Sequence, residues 1–364
     1  MRISATLSGY LGRQFLIAVF SIFLGFLSVA FLFDLVELLR RAEAKPDATF
    51  SIVVSMAVLK LPHLAEQIMP FAVLFGSMLT FWRLTRSHEL VVVRSVGVSV
   101  WQFVGPALVL AFVIGVAKIA VLNSIASAML FRFEELENKY LKGKTSILAV
   151  SETGLWLRQI DAEGESVIHA LRVSSRSFEL SDVIILLFKD QDHFVRRVDA
   201  ETAQLEPGYW ELQRAWITAP DRPAQFASTY RVKTDLTLEQ IQDSFASPES
   251  ISFWDLPHFI GLLQRAGFSA LRQRLYWNSL LSDPVLLCAM VLIAATFSLR
   301  HQRRGGTVIL IAVGVFTGFF VYFLSDVVFA LGLAASIPIL LAAWSPAGAS
   351  LLLGLATLFH LEDG

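Results

Sequence analysis

The chain has 364 residues, 55% of them hydrophobic, with 29 Phe and a mean hydropathy of +0.60. That composition excludes an ordinary soluble domain and points to the membrane. A net charge of −1 excludes a basic nucleic-acid binder, and a single cysteine, Cys288, excludes a disulfide framework or a Cys-based metal site within one chain.

A bilayer core about 30 Å thick needs roughly 20 apolar residues in helical form. Six runs qualify: 15–33, 64–82, 101–122, 278–299, 307–329 and 338–359. The first is followed by FDLVELLRR and not by a small-residue cleavage site, so it reads as a retained transmembrane helix. Between the third and fourth runs, roughly 135–265, alternation replaces continuous apolarity. GLWLRQI, ESVIHALRVS, DVIILLFKD, FVRRVDAETAQL, YWELQRAWITA and FASTYRVKTDL are separated by Gly, Pro, Asp and Ser clusters. Six or seven such strands predict an all-β sandwich or jelly roll. FWDLPHFIGLLQRAG then reads as a short amphipathic helix. The predicted fold class is therefore a membrane α-helical protein, six transmembrane helices with an inserted all-β jelly-roll or sandwich domain. Residues 1–134 hold three spans, 135–265 the β domain and 266–364 three more.

Basic residues near the span ends set the expected orientation. Arg2 and Arg13 flank the first span, Arg83, Arg86 and Arg94 the second loop, and Arg300, Arg303 and Arg304 the loop after the fourth. Both termini and both basic loops are expected in the cytoplasm, with the β domain outside. More than half of all Lys and Arg lie between Arg132 and Arg274, but long domains translocate regardless of charge.

At 1.5 Å per residue, Glu66, Lys118 and Asp283 lie about 24–26 Å from the cytoplasmic ends of their helices, and Asp34 and Asp326 about 28 Å. Arg40, Arg41, Lys45 and Arg132 come beyond them. Snorkelling towards the interface accounts for Asp34 and Asp326. Glu66 and Lys118, deeper and of opposite sign, form a candidate pair. The sharper reading is a charged rim around an apolar interior, suited to an amphiphile whose anionic head sits at the outer leaflet. A midplane without ionisable residues counts against ion-coupled transport.

Enzyme signals are weak. Gly143-Lys144-Thr145 resembles the end of a phosphate-binding loop, but Asn138 stands where that loop needs glycine. HExxH and GxSxG do not occur, and no cofactor or metal is expected. The stretch RLTRSHELVVVRSVGVSVWQ, 83–102, is both charged and rich in valine. As a helix over 83–99 it places His88, Val91, Val92 and Ser95 on one face beside Glu89. Such a helix either docks in a groove of a cytoplasmic protein or lies on headgroups.

FDLVELLRR, the run LPHLAEQIMPFAVLFGSMLTFWRLTRSHELVVVRSVGVSVWQF, FEELENKYL and SETGLWLRQ resemble the lipopolysaccharide export permease family, which comprises the half-permeases LptF and LptG. The resemblance covers nearly the whole chain and is strongest over 34–158, with DLVELLRR and SETGLWLRQ nearer LptG. It implies a heterodimer with a sister half-permease (LptF) on a cytoplasmic ATPase dimer (LptB), which supplies ATP hydrolysis. Lipopolysaccharide would pass from the outer leaflet of the inner membrane to periplasmic LptC and LptA-type jelly-roll proteins. Residues 83–99 would be the coupling helix, with Arg86, His88, Glu89, Val92 and Arg94 at the ATPase and Glu89 as the acidic coupling residue. The first and fifth spans would form lateral gates. Arg40, Arg41, Lys45 and, with less support, Arg132 would contact the lipopolysaccharide head group. The β domain would add strands edge to edge with its partners. Trp156, Ile168, Ile185, Leu187 and Phe188 are either cargo-lining residues or ordinary core. The alternatives are the LptF sister in the same complex, an ATP-independent lipid flippase, a scaffold, and a membrane enzyme using Asp34, Glu66 or Asp283.

Overall fold

In a computed structural model of the chain, the residues described are 5–43, 45, 47–87, 89, 99–142, 147–151, 154–161, 164–174, 179–189, 193–220, 222–234, 236–237, 247–266, 268–298 and 307–363. Helix α1 is Ala5–Ala42 and α2 is Phe50–Arg86. Helix α3, Val100–Ala117, passes through a π-helical turn, Lys118–Leu122, into α4, Asn123–Glu137, and a second π turn, Asn138–Lys142. Seven strands follow, then a 3-10 turn at Pro248–Ser250 and α5, Leu256–Arg265. Helices α6 (Leu271–Ser298), α7 (Thr307–Leu333) and α8 (Ile339–Asp363) complete the chain.

Among the described residues, six helices are long and apolar enough to cross a membrane, in the order the hydrophobic runs predict. Most are longer than those runs. An apolar run marks only the part of a helix that needs hydrocarbon, whereas the backbone ladder continues into water. The continuous helix Val100–Leu141 has 42 residues and is about 63 Å long, twice the bilayer core. Pro62 and Pro70 lie inside α2 and Pro284 inside α6. Buried Ser77 and Thr80 donate to the carbonyls of Val73 and Gly76 one turn back, so their hydroxyls are satisfied without a second helix.

The chain divides into two compact units. The first comprises 1–133, 252–254 and 274–364. Its core gathers Phe15 and Val19 of α1, Leu74, Met78 and Phe81 of α2, Phe103 and Val104 of α3, and Met290 and Leu292 of α6. Two glycines set close helix approaches. A Cβ at Gly76 would lie 2.6 Å from the Val19 Cα, and one at Gly115 would lie 2.6 Å from the Pro284 Cα.

The second unit comprises 134–251 and 255–273. Strands β1 (Ile147–Ser151), β2 (Gly154–Asp161), β3 (Gly164–Val173), β4 (Leu180–Lys189), β5 (His193–Glu206), β6 (Tyr209–Ala219) and β7 (Arg222–Lys233) pair with their chain neighbours, all antiparallel, in one sheet of order β1 to β7. The inserted all-β domain is thus present, with β1 added to the six segments read from alternation. Lying flat, β2 and β7 would be five strand spacings apart, about 24 Å. Yet buried Thr234, one residue past β7, donates a 2.6 Å hydrogen bond to Gln159 of β2. The sheet therefore curls on itself and encloses Leu155, Leu157, Ile168, Ile185, Val198, Trp210 and Leu212.

The bend has a visible origin. Strict alternation slips once in each of four adjacent strands, with two outward residues between buried ones. The pattern runs Ala170 to Val173, Leu180 to Val183, Ala200 to Ala203 and Leu212 to Ala215, each pair buried. These slips stand in register across the sheet. Asp182 and Arg214 within them adopt φ of 56° and 51°. A row of slips in register changes which side chains face inward above and below it, and so makes a corner.

Candidate functional site

At one end of the helical unit the termini of α1, α2 and α4 bring charges together. Asp34 of α1 forms an ion pair with Lys60 of α2, and the Lys60 ammonium lies 5.4 Å from the centre of the Phe133 ring of α4. Lys60 lies ahead of the second hydrophobic run and was not among the expected rim residues. One turn beyond Asp34, the Glu37 carboxylate accepts a forked pair of hydrogen bonds from Arg40 at 2.8 and 2.9 Å, and one from Arg41 at 2.8 Å. The two arginines thus share one acid on their own helix, leaving the trio a net charge of +1. Arg40 remains 72% exposed, and Lys45 and Arg132 are exposed too.

Deeper in the unit, the expected pairing of Glu66 with Lys118 is replaced. The Lys118 ammonium, 8% exposed, pairs with Asp283 of α6 at 2.5 Å, and no ion pair joins it to Glu66 among the described residues. The expectation matched the two residues by axial depth, and depth alone does not fix the azimuth at which a side chain leaves its helix. The Ala120 carbonyl accepts the Trp254 indole N–H at 3.3 Å, and Asn123 Oδ1 accepts the Phe253 amide at 2.8 Å. Glu66, 5% exposed, lies near Lys118, Asp283 and Asn123 with its Oε1 unpartnered among the described residues.

At the opposite end, Arg83 and Arg86 form the last turn of α2, which ends at Arg86 with Ser87 as its C-cap, and residues 88 and 90–98 of the expected 83–99 helix lie outside the described residues. The Arg86 guanidinium lies 5.2 Å from the centre of the Trp82 ring. Glu89 accepts hydrogen bonds from the Tyr10 hydroxyl of α1 at 3.1 Å and from Ser87 at 2.9 Å. His88, Val92 and Arg94 lie outside the described residues.

The sequence that builds this arrangement has a counterpart among known proteins. The family profile for the lipopolysaccharide export system permease LptF/LptG matches residues 9–360. The chain belongs to this family. It is similar to the lipopolysaccharide export system permease protein LptG of Haemophilus influenzae, 24% identical over 94% of each chain. It is likewise similar to the LptG of Escherichia coli K12, 22% identical over 96% of each. This permease is therefore a multi-pass inner-membrane subunit for lipopolysaccharide export, on the LptG side of the family.

In the β domain of this permease the five residues left open between cargo lining and core separate. Ile168 and Ile185 are fully enclosed in the core. Trp156 is 40% exposed and lies against the His169 ring at 4.3 Å. Leu187 and Phe188 do line a cavity of about 360 Å³, with Lys189, Arg196, Tyr230 and Val232. The Arg196 guanidinium donates to the Tyr230 hydroxyl at 2.8 Å across that cavity. Beside it, hydrogen bonding to Glu165 raises the Arg158 pKa.

Proposed function

We propose that this permease is the half-permease of an ATP-driven exporter whose ATP hydrolysis comes from a cytoplasmic ATPase dimer of the LptB kind. It would pair with an LptF-type sister and pass lipopolysaccharide to periplasmic LptC- and LptA-type bridge proteins. Both termini and the arginine-rich loops face the cytoplasm in this reading, and the β domain faces the periplasm. The observation that carries it is the polarity of the helical unit. Asp34, Lys60, Arg40, Arg41 and Arg132 gather at one end, and Glu89 with Arg86 sits at the other. The rim suits a phosphorylated amphiphile, because a guanidinium donates two hydrogen bonds to one phosphate while acyl chains remain in hydrocarbon. Glu89 suits a basic groove on the ATPase, and the Tyr10 hydroxyl holds it in place. Residues 135–265 act as the first element of the bridge, presenting β1 or β7 as an edge for strand addition.

The rim is tested by photo-cross-linking lipopolysaccharide to the permease in the membrane. Arg40→Glu together with Arg41→Glu is expected to reduce capture, and Glu37→Gln, which releases both guanidinium groups, to raise it. Capture unchanged in both variants would leave these arginines as interfacial anchors only.

A further inference from the structure

A groove stands at the opposite end of α1 from the charged rim. The first turns of α1 and α3 leave between them a groove of about 760 Å³, with Ser8, Gly12, Ile17, Gly105 and Val109 along it and Arg13 at its edge. Leu16, Ile17 and Val109 present exposed aliphatic walls. Two glycines widen it without being required by packing. A Cβ at Gly9 or at Gly105 would meet no atom within 4 Å, unlike those at Gly76 and Gly115. Arg13 is exposed and has no hydrogen-bond or ion-pair partner among the described residues. It lies eight residues into α1, about 12 Å from the helix start, and side chains on a helix lean towards its N-terminus. Its guanidinium therefore reaches towards the headgroup layer while its stem lies along the groove.

We propose that this groove binds one anionic glycerophospholipid of the leaflet at the α1 N-terminal end. An acyl chain would lie between α1 and α3, with the phosphate on Arg13. Small residues four apart, Ser8 and Gly12, can also seat a helix. A helix in that seam, however, would have to bring an acid for Arg13, whereas a phosphate accepts both fork hydrogen bonds at the depth the arginine reaches. The exported cargo is a poor occupant. Its rim at Arg40 is 27 residues further along α1, about 40 Å away. The proposal does not depend on the export reading.

The test is native mass spectrometry of the full chain, with the partners it retains, released from nanodiscs of phosphatidylethanolamine and phosphatidylglycerol. Wild type is expected to hold one phosphatidylglycerol, and Arg13→Gln and Gly105→Leu to hold it roughly tenfold less. If Gly105→Leu fails to fold, Arg13→Gln decides alone. Equal retention in wild type and variants would overturn the proposal, as would equal retention of the two lipids or lipopolysaccharide in their place. So would a photoreactive residue at position 9 that captures a protein helix instead of lipid.

Discussion

Lys118, buried, and Asp283, 18% exposed, form an ion pair whose two halves are worth more together than apart. Burial removes both from water, and only their mutual contact and the surrounding dipoles offset that cost. Removing one partner leaves a lone buried charge. Lys118→Met or Asp283→Asn alone is therefore expected to destabilise the permease by about 3–5 kcal/mol, and Lys118→Met with Asp283→Leu to recover most of it. Thermal unfolding in detergent measures this, and singles and double with equal melting temperatures would show that the pair is not formed. The sequence indicated that these residues share a depth, since depth follows from counting along a helix. It did not indicate partners, because a partner is set by how neighbouring helices are rotated against each other, which counting along one helix does not give. Lys60 escaped notice for a related reason. A hydrophobic run starts where charge ends, but α2 starts at Phe50, a further 10 residues upstream of Lys60.

Helices in this unit approach through glycine where side chains would hold them apart. α1 and α2 meet at Val19 and Gly76, where a Cβ would strike backbone as well as side chain. Gly76→Ala is expected to cost about 1–3 kcal/mol by overpacking. Gly25→Ala on α1, whose Cβ would meet nothing within 4 Å, should leave the melting temperature unchanged or slightly raised. A Gly76→Ala variant as stable as Gly25→Ala would contradict this packing. The six spans and six of the seven strands were legible because periodicity reports environment directly. The corner in the sheet was not. Its signal is a one-residue slip in alternation, which in ESVIHALRVS or YWELQRAWITA alone looks like noise. Only register places the slips in one row.

In the function proposed above, the helical unit is polar, with a basic rim for cargo at one end and the loop acid for an energy source at the other. Family membership follows from a match over residues 9–360, and the glycine contacts, ion pairs and curled sheet describe how this sequence builds such a subunit. Arg83 and Arg86 extend α2 to the loop, so any motion transmitted at Glu89 acts on a helix that also carries Lys60 and Glu66. The most direct measurement is mass spectrometry of what co-purifies in mild detergent with a tagged wild-type chain and with Glu89→Ala. Wild type should bring an ATPase, a second six-helix permease and lipopolysaccharide, and Glu89→Ala should lose ATPase while keeping the sister permease. A wild-type chain recovered alone, in a detergent that preserves membrane complexes, would contradict an ATP-driven half-permease.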